Sequence, residues 1–294
     1  MDISILVPHK NSLSKVCRLL RSIPNDIPVV LVDDDSEDNV FEELNRIVSE
    51  EYTNAKLIKN NSLERNAGTA RNVAIENCSA DTEWVIFADA DDEFIKGALC
   101  RLVDHLRYNE SGDVVFFNSL ARKENGVGKS NRCDRYRKLV ACWPSSSGII
   151  AFEWPVPWGK AIRINRVIRS NCLEFSSRVA SNDMEFSAKL ALTSPTINVF
   201  LEDVYICYES ESSLTATLTP QKSLDRLKAT INRNRLYSIN NIDFVRYNYA
   251  LTYLFKAIPL IIKKREFSVV GDEIRNLFIA LRVNLIIRLR ARSR

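Results

Sequence analysis

Three acids in four positions, Asp89-Ala90-Asp91-Asp92, close the apolar run from Trp84 to Ala88. Like charges this close repel one another. A cation that takes oxygen ligands, Mg²⁺ or Mn²⁺, relieves the repulsion and also grips phosphate groups. The alternative is a turn in which Asp91 or Asp92 caps the helix that follows. A second acidic cluster, Asp33-Asp34-Asp35-Ser36-Glu37-Asp38, ends another apolar run and can equally be a solvated turn. As ligands, its carboxylates could accept hydrogen bonds from the imide or ribose hydroxyls of a nucleotide. Two such clusters at equivalent places weigh more than either alone.

The elements that must position them alternate between two hydrophobic periods. Ile3–Val7, Val29–Val32, Lys56–Lys59, Trp84–Ala88 and Val114–Phe117 have the length and composition of strands, and 13–23, 41–48, 67–78 and 98–108 that of helices. Strands alternating with helices imply an α/β fold, a mostly parallel sheet flanked by helices, with ligands at the carboxyl ends of the strands. Both acidic clusters fall at such ends. Residues 119–150 are polar, poorly periodic and basic between Arg132 and Lys138, and are expected to form a mobile loop over that edge. From about 220 the pattern is helical to the end.

Four segments in order, Ile5 to Asn11, Val32 to Asp38, Asn66 to Asn72 and Phe87 to Asp92, resemble the family 2 glycosyltransferases of GT-A fold. The resemblance implies an enzyme that takes a sugar from a nucleotide-sugar donor, with a UDP-sugar expected. The acceptor would be a hydroxyl of a saccharide or lipid-linked molecule, and transfer a metal-dependent single displacement with inversion. It implies a cell-surface polysaccharide or lipopolysaccharide pathway. It places Asp33 and Asp34 on base and ribose, Asp89 and Asp91 on Mn²⁺ or Mg²⁺ and the diphosphate, and Pro8, His9, Asn11, Arg71 and Asn72 around the nucleotide, with His9 expected to stack on the base. Arg71 could also offset the acids nearby, and Arg65 is a further candidate. One departure is Asp35, where the family usually has Gly.

An inverting transfer needs a general base for the acceptor hydroxyl. Ser181 to Phe186 is similar to the family's Glu-Asp signature, so Asp183 inherits that role, with Asn182 in place of the first acid. The same residues also read as a helix start, with Asn182 and Glu185 as a capping box and Asp183 as a first-turn acid. Trp158-Gly159-Lys160 resembles a family segment preceding the acceptor site. Lys160 is by default a surface lysine, its functional alternative being the donor phosphates. Tyr208 with Ser213-Leu214-Thr215 resembles the family's closing strand and loop. His105 is expected to be structural or solvated.

The chain divides on this reading into a nucleotide-sugar half (1–120), an acceptor half (121–219) and a basic helical C-terminal extension (220–294). A formal charge of +4 over 294 residues is too small to make nucleic acid the main partner. Seven scattered cysteines without a CxxC pair suggest neither a disulfide framework nor zinc. The N-terminus has no secretory pattern and no apolar run is long enough to span a bilayer, so a cytoplasmic location is expected. From Lys256 to Arg294, ten Lys or Arg stand against three acids, interleaved with apolar patches. Peripheral contact with the inner face of an anionic membrane and a solvated tail both fit that pattern. A nucleotidyltransferase or phosphotransferase could use the same acids, but no GxGxxG or GxxxxGK[ST] loop is present. A phosphoacceptor signalling domain would leave the Asp89 cluster unexplained, and a degenerate transferase kept as a scaffold fits the Asp35 and Asn182 departures.

Overall fold

The computed structural model describes residues 2–108, 112–126, 130–193, 195–209, 219–248 and 250–292. Its first half runs β1 (Asp2–His9), α1 (Leu13–Ser22), β2 (Val29–Asp33), α2 (Asp38–Glu51), β3 (Ala55–Lys59), α3 (Ala67–Glu76), β4 (Thr82–Phe87), β5 (Glu93–Phe94), α4 (Ala98–Tyr108) and β6 (Val114–Lys123). Then follow α5 (Asp134–Ala141), β7 (Lys160–Arg163), a π-helical turn (Ile164–Arg169), α6 (Asn182–Leu192), β8 (Ile197–Glu209), α7 (Pro220–Ile239), α8 (Leu251–Lys264) and α9 (Ser268–Arg292).

The strands form one sheet in the order β3-β2-β1-β4-β7-β6-β8-β5. The β3-β2-β1-β4 block is parallel, as are β6 and β8, while β7 and β5 run antiparallel to their neighbours. Apolar runs without alternation, such as Val29 to Val32 and Trp84 to Phe87, are buried on both faces, as strands covered by helices on either side must be. Because β4 pairs with β7, the sheet is continuous across residue 120 and the two expected halves share one core.

Residues 119–150 are not a bare loop. β6 continues to Lys123, and α5 packs Tyr136 and Val140 into the core one turn apart. Arg and Lys around that pair obscure the period in so short a helix. The C-terminal helices bury two smaller clusters, one around Tyr237, Tyr247 and Ala280 and one around Leu224, Leu227 and Ile261. Among the described residues no helix is long and apolar enough to cross a membrane.

Candidate active site

The carboxyl ends of β3, β2, β1 and β4 lie side by side. Parallel register sets His9 beside Asp33, and Asp33 beside Lys59. His9 Nδ1 donates to Asp33 Oδ1 at 3.1 Å, while its Nε2 accepts from the Ser12 amide at 3.2 Å. With both ring nitrogens engaged and only 2% of its surface exposed, His9 braces Asp33. Burial pushes the Asp33 carboxyl up, but hydrogen bonds from His9 and Ser36 outweigh it and hold the group below its ordinary value. Asp34 is raised by burial and accepts from Asn60 Nδ2 at 2.8 Å. Pro8 pairs with Val32 within the sheet, and Asn11 closes the turn by accepting from the Glu37 amide at 2.8 Å.

Asp35, the departure from the family's usual glycine, sits at φ 68°, in the left-handed region. Glycine meets that geometry freely and Asp tolerates it. Its carboxylate pairs with Arg65, so the turn keeps the shape a glycine would give it.

At the end of β4, Asp89, Asp91 and Asp92 each bring a carboxylate oxygen within 4.8 Å of the others. Burial, and then the neighbouring acids, raise Asp91 and raise Asp92 further. Asp92 accepts from the Tyr208 amide at 2.7 Å, yet its Oδ2 is buried with no partner. It leads into β5 and caps no helix. Repelling oxygen donors with an unpartnered buried oxygen among them are a donor set that fits Mg²⁺ or Mn²⁺.

Tyr205 and Tyr208 on β8 support this turn from below. The Tyr205 hydroxyl accepts the Asp89 amide at 2.9 Å, and Tyr208 donates to Glu93 Oε1 at 2.8 Å beneath Arg18. Ser213, Leu214 and Thr215 lie outside the described residues. Arg132 faces the three acids and lies 5.9 Å from the Trp158 ring. It lies just before α5 in the basic cluster of the segment expected as loop, where no motif marks it.

Two residues of α3 tie this edge to the second half. Arg71, 6% exposed, places Nη2 at 2.6 Å from Asp89 Oδ1 and donates from Nη1 to Asn182 Oδ1 at 3.1 Å. Asn182, where the family's signature has an acid, accepts this bond with a neutral amide oxygen. Asn72 turns its whole amide to the Phe175 backbone, donating and accepting at 2.9 Å, and so clamps the segment that leads to α6. The α3 cap is built for close approach: Asn66 accepts from Gly68 and Thr69, and a Cβ on Gly68 would meet Ser176 O at 2.3 Å.

Asp183, in the first turn of α6, is half-buried and its carboxylate has no side-chain partner among the described residues. Burial raises it, against the lowering pull of Arg71. The expected capping box does not form. Ser181 is the cap residue, and Glu185 pairs with Arg178 and accepts from Asn232 at 2.9 Å.

Lys160 is not at the surface. It is 1% exposed, donates to Trp154 O at 3.1 Å and Ser187 Oγ at 3.3 Å, and burial pushes it down to about 7 while Asp183 pulls it up. Gly159, at φ 77°, admits the Trp154 ring where a Cβ would lie 2.6 Å from it. His105 packs against Phe200 at 5.1 Å and burial lowers it, a structural role.

The family profile described as Glycosyl transferase family 2 matches residues 4–168, which hold all of this edge except α6 and β8. The chain belongs to that family.

A curated family relative, the GalNAc(5)-diNAcBac-PP-undecaprenol beta-1,3-glucosyltransferase of Campylobacter jejuni, is 28% identical over 131 residues. The match covers 43% of this chain and 41% of the relative. The fold is similar to that of S. aureus TarS 1-349, with TM-score 0.65 and 20% identity over 98% of this chain and 83% of that one. The same TarS fragment in complex with UDP-GlcNAc gives TM-score 0.60 and 20% identity, over 80% of this chain and 66% of that one. Mannosyltransferase PcManGT from Pyrobaculum calidifontis, solved with GDP-Man and Mn²⁺, gives TM-score 0.56 and 17% identity over 98% and 84%. These likenesses bear out the GT-A-type fold with its helical C-terminal extension.

Proposed function

We propose that this chain transfers a glycosyl group from a nucleoside diphosphate sugar to a hydroxyl of a saccharide or lipid-linked acceptor, in a metal-dependent single displacement with inversion. The observation that carries the reading is an acidic cation site, Asp89, Asp91 and Asp92, tied to the first turn of α6, where Asp183 stands next to Asn182, by the single guanidinium of Arg71, which reaches Asp89 and Asn182.

Asp33 and Asp34 take the base and ribose, preset by His9 and Asn60. Asp89 and Asp91 would hold the metal beside the diphosphate, and a divalent cation there would supply charge neutralisation for the leaving group. Asp183 accepts the acceptor's proton as that oxygen attacks the anomeric carbon, and its raised affinity for a proton suits the role. Arg71, bonded to Asp89 and Asn182, keeps the end of β4 and the start of α6 in one frame.

The TarS complex with UDP-GlcNAc supports a UDP-sugar, and the undecaprenol-linked substrate in the relative's name supports a lipid-linked acceptor. Such an acceptor is held at a membrane, so peripheral contact with its inner face belongs to the same reading.

The test is release of nucleoside diphosphate from UDP- and GDP-hexoses with Mn²⁺, with and without acceptor glycans. Turnover with at least one donor, lost in Asp91→Ala and strongly reduced in Asp183→Asn, is expected. No turnover with any donor and metal, or full turnover in Asp91→Ala, would overturn the reading.

A further inference from the structure

Most of the large apolar side chains exposed among the described residues belong to α8, α9 and the turn between them. On α8 they are Leu251, Phe255, Ile258 and Ile262, and on α9 they are Ile274, Phe278, Leu281, Leu285 and Leu289. Each set steps by three or four residues, so each is a single stripe along one helix face. Phe255 and Phe278 are both 68% exposed, and Phe267 in the intervening turn is 59% exposed. The opposite faces are already used: Ala257 and Ile261 pack against α7, as do Ala280 and Val283. Among the described residues nothing covers the stripes.

Charge on the same helices is one-sided. Lys256, Lys263, Arg282 and Arg288 have no carboxylate within ion-pair distance among the described residues. The acids of this region are committed elsewhere. Glu266 pairs with Lys228, Asp272 with Arg275, and Glu273 is buried, accepting from the Ala250 amide at 3.1 Å and from Asn276 at 2.8 Å. We infer that α8 and α9 are the surface by which this protein lies on an anionic phospholipid bilayer, their apolar stripes entering the headgroup boundary and their Lys and Arg meeting lipid phosphates.

The charge pattern selects this occupant over a second copy of the chain. Self-association through these faces would bring the unpaired cations of both copies together, whereas anionic headgroups neutralise them as the apolar stripes are buried. Neither helix can cross the bilayer, so the contact lies in the interface plane. Its connection to the site is short. α7 lies between α8–α9 and α6, joined to α6 by Asn232 and Glu185 at 2.9 Å, and α6 carries Asp183 in its first turn. This deepens the proposed transfer to a lipid-linked acceptor and rests on that reading for its purpose, while binding itself is testable alone.

The test is flotation of the full chain with vesicles of phosphatidylcholine, with and without phosphatidylglycerol, at low and high salt. Two double variants, Phe255→Ser with Ile262→Ser and Phe278→Ser with Leu285→Ser, alter exposed positions only. Stabilisation by UDP with Mn²⁺ is measured alongside. The wild type is expected to float with anionic vesicles, to bind neutral ones more weakly, and to dissociate as salt rises. Each variant should bind roughly ten-fold more weakly or worse, with its response to UDP unchanged. Absence of flotation, salt-independent binding to neutral vesicles, or a wild-type dimer that the variants dissolve would each overturn the inference. Loss of vesicle binding with the UDP response intact leaves the transferase reading standing, and the converse removes that reading alone. The salt dependence of the wild type needs no variant, so a misfolded variant cannot rescue the idea.

Discussion

Arg71 lies 2.6 Å from the Asp89 carboxylate and reaches Asn182 with its other nitrogen at 3.1 Å, so one buried guanidinium spans the end of β4 and the start of α6. Sequence separates Arg71 from Asn182 by 111 residues.

Arg71→Met leaves Asp89 facing Asp91 and Asp92 without its close cation. Breaking a buried pair costs about 3–5 kcal/mol. The Asp89 side chain keeps 26% exposure, so the expected loss is smaller, about 1–3 kcal/mol. Arg71→Lys restores the charge but not the two-pronged reach and should recover less than half of that. Urea unfolding measures both, and an unchanged midpoint in Arg71→Met would contradict the bridge.

Gly68→Ala offers a test by sign. Within a helix the change ordinarily stabilises by about 0.5–1 kcal/mol. Here the new Cβ would lie 2.3 Å from Ser176 O and 2.9 Å from Asn182 Cβ. A destabilisation of about 1–3 kcal/mol is expected instead, and a stabilised variant would mean that α3 and the 176–182 segment are not in contact.

Asp183→Asn should lower kcat by about 10²–10⁴-fold while leaving UDP binding intact. Because burial raises the Asp183 carboxyl, the base is lost at a higher pH than an ordinary carboxylate would be. In the wild type, kcat/KM should fall with falling pH on an acid limb above the usual carboxylate range. Persistence of that limb in the residual activity of Asp183→Asn would assign it to another group.

Lys160 carries a stability prediction. Burial lowers it from 10.5 to about 7, so between those values the unfolded chain binds more protons and stability rises with pH. Lys160→Met removes the cost of burying the charge. Its gain over wild type should be full below pH 7 and shrink toward pH 10.5. A difference from wild type that does not change between pH 7 and pH 10.5 would show that burial does not lower Lys160.

The acidic edge is legible in the sequence because parallel strands bring the clusters that end them to one edge by topology alone, as they do for Asp33, Asp34, Asp89 and Asp91. The misreadings share a cause: a side chain's partner can come from a distant segment. Lys160 reads in the sequence as a surface lysine, but Trp154 and Ser187 enclose it. Asn182 and Glu185 fit a local capping pattern, but long-range partners Arg71 and Asn232 claim them. Arg132 was hidden because α5 is only 8 residues long, too short for its period to stand out among basic residues.

The most direct test of a nucleoside diphosphate held through a cation at the β4 acids is thermal unfolding with UDP and GDP, each with Mn²⁺ and with EDTA. A ligand at a hundred times its Kd stabilises by about 2.7 kcal/mol, or roughly 5–10 °C for a chain of this size. The account predicts that UDP raises Tm only when Mn²⁺ is present and that Asp91→Ala abolishes the rise while leaving the unliganded Tm at or above wild type. No stabilisation by any nucleoside diphosphate with metal, or an equal rise in EDTA or in Asp91→Ala, would contradict it.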